Sequence, residues 1–222
     1  MNAKTPKEIR CLITAGPTRE YLDPIRFISN SSSGKMGYAL AEAALNLGWI
    51  VDLVSGPVSL NPLKKVELHK VVSAEEMYET CENLFDQCDI FIMVAAVADY
   101  RPKEKLTQKM KKKATSLTVE FIPILDIVKE LASRRKSQVV VCFAAETENL
   151  EENARGKLEK KGVDWIVAND VSRSNVGMEA DENSVMILGA KGECWDFGPA
   201  KKDVVAEYIL EKIRGSVEKP NF

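Results

Sequence analysis

The chain has 222 residues, 45% hydrophobic and 29% charged, enough apolar material to bury a sizeable core in one domain. Its 31 Lys and Arg against 33 Asp and Glu give a formal charge of -2, which argues against a dedicated nucleic-acid binder; basic residues cluster only at residues 109–113. Cys11, Cys81, Cys88, Cys142 and Cys194 contain no Cys-x-x-Cys pair and His69 is the single histidine, so a disulfide framework, a zinc knuckle, a multi-His metal site and a His-dependent triad are all disfavoured.

The first ten residues, MNAKTPKEIR, lack the apolar core of a signal peptide, and no apolar run approaches the length of a membrane span, so a cytoplasmic protein with no membrane partner is expected. IRCLIT, residues 9–14, is a β-branched apolar run that predicts a buried strand. After a polar loop, residues 35–47 predict a helix, ended by Gly48 in the position favoured for a C-terminal glycine. WIVDLVSGP predicts the next strand and turn, KVELHKVV another strand, residues 74–88 an amphipathic helix, and IFIMVAAVADY a strongly apolar strand. Residues 126–133 predict a helix, QVVVCFAAE a buried strand, residues 149–161 a charged helix and DWIVAND a further strand. NSVMILGAKGECWDFG reads as a hairpin turning at Lys191-Gly192, spanning about residues 185–197, and residues 201–213 as a closing helix. Strand and helix alternate at βαβ spacing, so the expected fold is α/β: one doubly wound, Rossmann-like, mostly parallel sheet flanked by helices, with a C-terminal antiparallel hairpin. Residues 1–222 are read as a single domain. Residues 101–116 are polar, lysine-rich and without period, the pattern of a mobile functional loop.

ISNSSSGKMG, at residues 28–37, sets small polar residues and two glycines directly ahead of a helix. Ser32, Ser33, Gly34 and Gly37 suit a phosphate loop, because free N–H groups at a helix start favour an anion and glycine permits close backbone approach. A serine-capped helix explains the same residues equally well. The P-loop pattern fails because Lys35 is followed by Met36, and the dinucleotide glycine fingerprint fails because a long polar segment separates the glycines from the first strand.

TAGPTREYLDPIRFISNSSSGKMG, AAVADYRP, KMKK, CFAAET and IVANDV, in this order, closely resemble bacterial phosphopantothenate-cysteine ligase over nearly the whole chain, from Ile9 to about Arg214. With its own Met1 and no room for a fused flavin-dependent decarboxylase, the chain looks like the stand-alone form and needs no flavin. The resemblance implies a ligase of coenzyme A biosynthesis that joins 4'-phosphopantothenate to L-cysteine through an acyl-cytidylate made from CTP with Mg²⁺. It also implies a homodimer with possible coupling to a separate phosphopantothenoylcysteine decarboxylase.

Carried onto this sequence, the resemblance makes Asn30 the contact to the acyl phosphate and Arg26 a residue that orients substrate or loop. Lys109, ten positions after Asp99, closes over the nucleotide phosphates from the loop, while Lys111, Lys112 and Lys113 read as solvated charges. Met93, Val94, Ala95, Ala96 and Phe143 are implied to read cytosine, mainly through backbone groups. Asp99 binds the nucleotide and is not assigned as a magnesium ligand; the metal ligands are left unassigned. Lys157 and Lys161 are four apart and share a helix face, where they would present two ammonium groups to a triphosphate. Where the family has an Asn-Pro-Asp-Ile helix start, this chain has Leu125, Asp126, Ile127 and Val128 after Ile124, also implied to bind the nucleotide; the departure leaves CTP against ATP open. Other classes fit less well: an NAD(P)-dependent oxidoreductase lacks its glycine fingerprint, and a non-catalytic nucleotide binder would not need Asn30 and Lys109.

Overall fold

A computed structural model describes residues 8–112, 116–146, 148–170 and 180–218. In chain order they form β1 (Arg10–Ala15), β2 (Arg19–Tyr21), β3 (Phe27–Ser29), α1 (Lys35–Asn46), β4 (Ile50–Ser55), β5 (Glu67–Lys70), α2 (Ala74–Phe85) and β6 (Ile90–Met93). There follow β7 (Tyr100–Pro102), β8 (Phe121–Pro123), α3 (Ile127–Ser133), β9 (Val139–Glu146), α4 (Leu150–Lys161), β10 (Trp165–Asp170), β11 (Glu182–Gly189), β12 (Cys194–Lys201) and α5 (Lys202–Ile213).

Alternation of apolar side chains along the strands builds one layer on each face of the sheet. In β1, Cys11, Ile13 and Ala15 pack with Leu40, Ala44, Ile209 and Ile213 from α1 and α5, whereas Leu12 packs with Met77, Phe85 and Leu131 from α2 and α3. A parallel strand buried on both faces has to read as a continuous apolar run, as β1 and β6 do. The eight-stranded sheet has the order β12-β11-β10-β9-β6-β1-β4-β5. Pairing is parallel from β10 through to β5 and antiparallel at β10-β11 and β11-β12. The doubly wound sheet and its antiparallel C-terminal hairpin are therefore as the sequence predicts. Among the described residues no helix is long and apolar enough to cross a membrane.

Three local expectations need correction. The apolar strand read from residue 90 onward leaves the sheet after Met93, because the N–H groups of Val94 and Ala95 turn to the Thr14 side chain instead of a neighbouring strand. The polar loop before α1 contains a hairpin, in which β2 pairs antiparallel with β3. The loop expected to begin at residue 101 starts inside β7, which pairs with β8 to make a two-stranded ribbon at the loop's base. Lys113, Thr147 and Val171, which the sequence reading touched, lie outside the described residues.

Candidate active site

The C-terminal ends of β1, β6, β9 and β10 open onto a cleft of about 370 Å³, where the loops after parallel strands converge in this class of sheet. Its walls bring together Asn30, Ser32, Gly34 and Gly37 from the start of α1, Met93 to Ala96 and Asp99 after β6, Leu125 to Val128 at α3, Phe143 on β9, and Lys157 and Lys161 on α4. Most residues singled out in the sequence thus share one cavity. Lys109, Arg26 and Ser33 do not line it.

The glycines earn their places sterically. Gly34 caps α1 with φ 78°, a left-handed conformation that strains any side chain, and no serine side chain caps the helix; instead the Gly34 N–H donates to Ser32 Oγ at 3.4 Å. A Cβ on Gly37 would sit 2.6 Å from Ala15 Cβ, so its absence lets the first turn of α1 press against the end of β1. Both findings favour a backbone-lined loop over the serine-capped alternative.

Thr14, fully buried, shapes the cleft floor. Its Oγ1 accepts the N–H groups of Val94 and Ala95, each at 3.0 Å, and donates to Met93 Sδ, while the Ala96 N–H donates to the Gly16 carbonyl at 2.9 Å. Of the backbone groups expected to meet a base, the N–H groups of Val94, Ala95 and Ala96 are therefore occupied internally. Asn30 crosses the same loop: its Nδ2 donates to the carbonyls of Ala96 at 3.2 Å and Val97 at 3.0 Å. Nδ2 thereby reaches two backbone carbonyls, so Asn30 closes the turn and lines the cleft at once.

On the opposite wall each lysine of α4 meets a carboxylate. Lys157 Nζ lies 2.6 Å from Oε1 of the buried Glu146, an ion pair without hydrogen-bond alignment, and Lys161 Nζ lies 2.6 Å from Asp126 Oδ2. Asp126 also caps α3 by accepting the Lys129 N–H at 3.2 Å, as its retention in the altered segment predicts. Below them the Cys142 thiol is pushed up to about 11, chiefly by burial, and stays protonated at neutral pH.

Sequence reading missed one stretch of the cleft. Lys35, Asn169, Asn183 and Lys202 line it, and Lys35 pairs with Asp181. Burial, reinforced by the nearby charge of Lys35 and partly offset by Asp181, brings the Lys202 ammonium down to about 8. The sequence cues were Lys35 inside SGKMG and Asn169 inside IVANDV, neither given a role; nothing local marks Lys202.

Arg26 serves the loop. Asp23, with no solvent exposure, accepts the N–H groups of Ile25 and Arg26 on Oδ1, both at 2.8 Å; its Oδ2 accepts Arg26 Nη1 at 2.8 Å and the Met110 N–H at 3.1 Å. Arg26 Nη1 also donates to the Met110 carbonyl at 3.2 Å. Burial would raise the Asp23 carboxyl, but three backbone N–H groups and the Arg26 charge outweigh it and bring it down to about 2. Met110, next to Lys109, is thus clamped at both its N–H and its carbonyl beside a second hollow, about 770 Å³, lined by Leu22, Arg26 and Leu106 among others. Lys109 itself stands exposed outside both cavities.

No group of three or more His, Cys, Asp or Glu side chains among the described residues is placed to hold a metal ion. The donor set among the described residues does not fit a protein-built magnesium cage.

The family described as DNA/pantothenate metabolism flavoprotein C-terminal domain matches residues 7–216. The chain belongs to this family. It is 48% identical over 203 residues to the coenzyme A biosynthesis bifunctional protein CoaBC of Bacillus subtilis, covering 91% of this chain and 50% of that protein. It is 43% identical over 211 residues to the protein of the same name from Escherichia coli K12, covering 93% and 52%. The chain therefore spans about half the length of these curated relatives. Among solved structures, the C-terminal domain of CoaBC superimposes with a TM-score of 0.81 at 42% identity, covering 95% of this chain and 96% of that one. A Cab2 variant in complex with phosphopantothenate-cysteine gives a TM-score of 0.75 at 17% identity, covering 94% and 87%, and shares the fold.

Proposed function

We propose that this family member joins 4'-phosphopantothenate to L-cysteine, using CTP to activate the acid. The observation that carries this reading is the cleft itself, which sets Asn30 and the glycine-lined start of α1 opposite the paired lysines of α4. In the first step a carboxylate oxygen of phosphopantothenate attacks the α-phosphorus of CTP and the bond to the β-phosphate breaks, releasing pyrophosphate. In the second the cysteine amine attacks the acyl carbon, the bond to the phosphate oxygen breaks, CMP leaves, and the amine gives up a proton.

Such chemistry asks for positioning and neutralisation of phosphate charge more than for a titrating acid or base, which suits a cleft with lysines and no histidine. Lys157 and Lys161, held beside the cleft by Glu146 and Asp126, are assigned to the phosphates. Asn30 fixes the loop of Ala96 and Val97 against the reacting carbonyl, its amide being shared between turn and substrate. Lys109 joins the phosphates from the clamped loop. Magnesium is assigned to the nucleotide's own phosphates, where this ion keeps most of its waters and supplies charge neutralisation. A cytoplasmic homodimer working beside a separate decarboxylase belongs to the same reading.

The test follows pyrophosphate release and amide formation in purified protein with Mg²⁺. CTP should release pyrophosphate only when phosphopantothenate is present, and the amide should form only after cysteine is added. ATP turnover equal to or above CTP turnover would overturn the nucleotide assignment, and pyrophosphate release that ignores phosphopantothenate would overturn the ligase.

A further inference from the structure

The CFAAET run at the end of β9 carries a residue to which neither the resemblance nor the chemistry above gives a part in turnover. Phe143, Ala144 and Ala145 line the cleft; Glu146, which follows them, does not. Glu146 is 9% exposed, and its Oε1 is the buried side-chain oxygen that, among the described residues, accepts no hydrogen bond. A carboxylate taken out of water is strongly unfavourable unless a positive partner neutralises it. Here that partner is Lys157, whose Nζ lies 2.6 Å away and whose side chain, 43% exposed, lines the cleft. Helix capping does not explain Glu146, because α4 takes Asn149 as its N-terminal cap.

The neighbouring lysine shows what sets this pair apart. Lys161 donates an aligned hydrogen bond to Asp126 Oδ2, while Asp126 also accepts the Lys129 N–H and has a side chain 42% exposed. When Lys161 turns away, water and a backbone donor still serve Asp126. Glu146 Oε1 has neither. Lys157, for its part, is drawn to its carboxylate by charge alone and donates no hydrogen bond to any described residue, so its three N–H donors stay open to a ligand. An ammonium on the cleft wall is thus ready for an anion, and a buried carboxylate behind it opposes its departure.

We propose that Glu146 is a positioning residue that competes with pyrophosphate for Lys157. Resting on the ligase reading, the anion is the leaving group of the first step. In the empty cleft Glu146 holds the ammonium at the wall. With the nucleotide bound, Lys157 turns its N–H groups to the phosphates. Once the bond to the α-phosphorus has broken, Glu146 draws the ammonium back and pyrophosphate is released. Glu146 touches no reactant and exchanges no proton; it acts through the lysine.

Isothermal titration with inorganic pyrophosphate tests the competition without turnover. Glu146→Gln keeps the shape and removes the charge, so it should bind pyrophosphate about tenfold tighter than wild type, the scale of one charge-assisted hydrogen bond no longer contested. Replacing a residue that serves the fold alone would leave binding equal or weaker. Lys157→Gln should weaken binding about tenfold, and adding Glu146→Gln to it should move binding by no more than about twofold, because the contested ammonium is gone. Glu146→Asp keeps the charge but sets it back by one methylene; it should fall between wild type and Glu146→Gln, and it supplies the same reading should the glutamine variant not fold. Lys191→Gln, at the exposed hairpin turn, should bind as wild type does. Wild-type protein that takes no pyrophosphate, folded Glu146 variants that bind it no tighter, or a tightening that persists in full without Lys157 would overturn the competition. Tighter binding by Glu146→Gln in a protein that makes no amide would sink the ligase reading and leave the competition standing.

Discussion

At the cleft floor and at the loop beside it, one buried polar side chain gathers backbone N–H groups, at least one of them distant in sequence, but the two work in different surroundings. Thr14 is neutral and lies at the end of β1, with apolar layers on both faces of the sheet and paired strands on either side. Asp23 is charged, lies beside a hairpin of three-residue strands outside the main sheet, and ties down Met110 with Arg26 as its companion. The contrast teaches where stability and function separate. The floor is part of the core, so damage to it unfolds the protein. The loop hangs on a local clamp, so damage there misplaces Lys109 while the sheet persists.

The largest expected effect is Asn30→Asp, which replaces the amide donors to Ala96 and Val97 with a carboxylate facing two carbonyls. Amide formation should fall by about 10²- to 10³-fold, as for loss of an oxyanion donor, and the acyl-cytidylate should accumulate in mass spectra of quenched mixtures. An unaltered rate in a folded variant would reduce Asn30 to a turn residue.

Next is Thr14→Val, which keeps the shape and leaves the part-buried Val94 and Ala95 N–H groups without their acceptor. At about 1–3 kcal/mol for each unsatisfied group, urea denaturation should show a loss of about 2 kcal/mol or more. A stability equal to wild type would show that the floor does not depend on this hydroxyl.

Asp23→Asn should act first on the loop. It leaves the shape and removes the charge that holds Arg26 and Met110, so trypsin should cut at Lys109, Lys111 and Lys112 about tenfold faster, a larger change than the accompanying fall in the denaturation midpoint. Equal loss of loop protection and global stability would erase the distinction between the two regions.

The smallest effect concerns pH. Folding favours the ionised Asp23, whose carboxyl drops from the ordinary 3.8 to about 2. Its stabilisation is therefore complete above about 3.8 and is lost as pH falls through about 2. A carbon-detected NMR titration of the Asp23 carboxyl should give a midpoint near 2 in the wild type; a midpoint near 4 would mean the clamp is not formed in solution.

Much of this was legible because long apolar runs announce themselves. β1, β6 and β9 had to be buried strands, and helical patterns between them forced parallel pairing. The short strands were not legible: β2, β3, β7 and β8 each have three residues, too few for alternation to register. Asn30 and Asp99, read from motifs, and Lys157 and Lys161, read from their spacing on one helix face, all line one cleft. Asp23 and Asn169 lie inside quoted motifs but received no role, because their contacts are not legible locally, and Lys202 lies in no motif at all.

By itself the sequence determined the layered α/β fold, the glycine-lined entry to α1 and the exclusion of histidine chemistry, because each depends on local pattern or composition. Only the tertiary structure decided that Thr14 takes the N–H groups of Val94 and Ala95, that Arg26 grips the loop through Asp23, and that Lys35 and Lys202 meet across one cleft. Those are encounters between residues far apart in the chain, and the sheet order that brings them together is set by the packing of the whole core and not by any stretch of it.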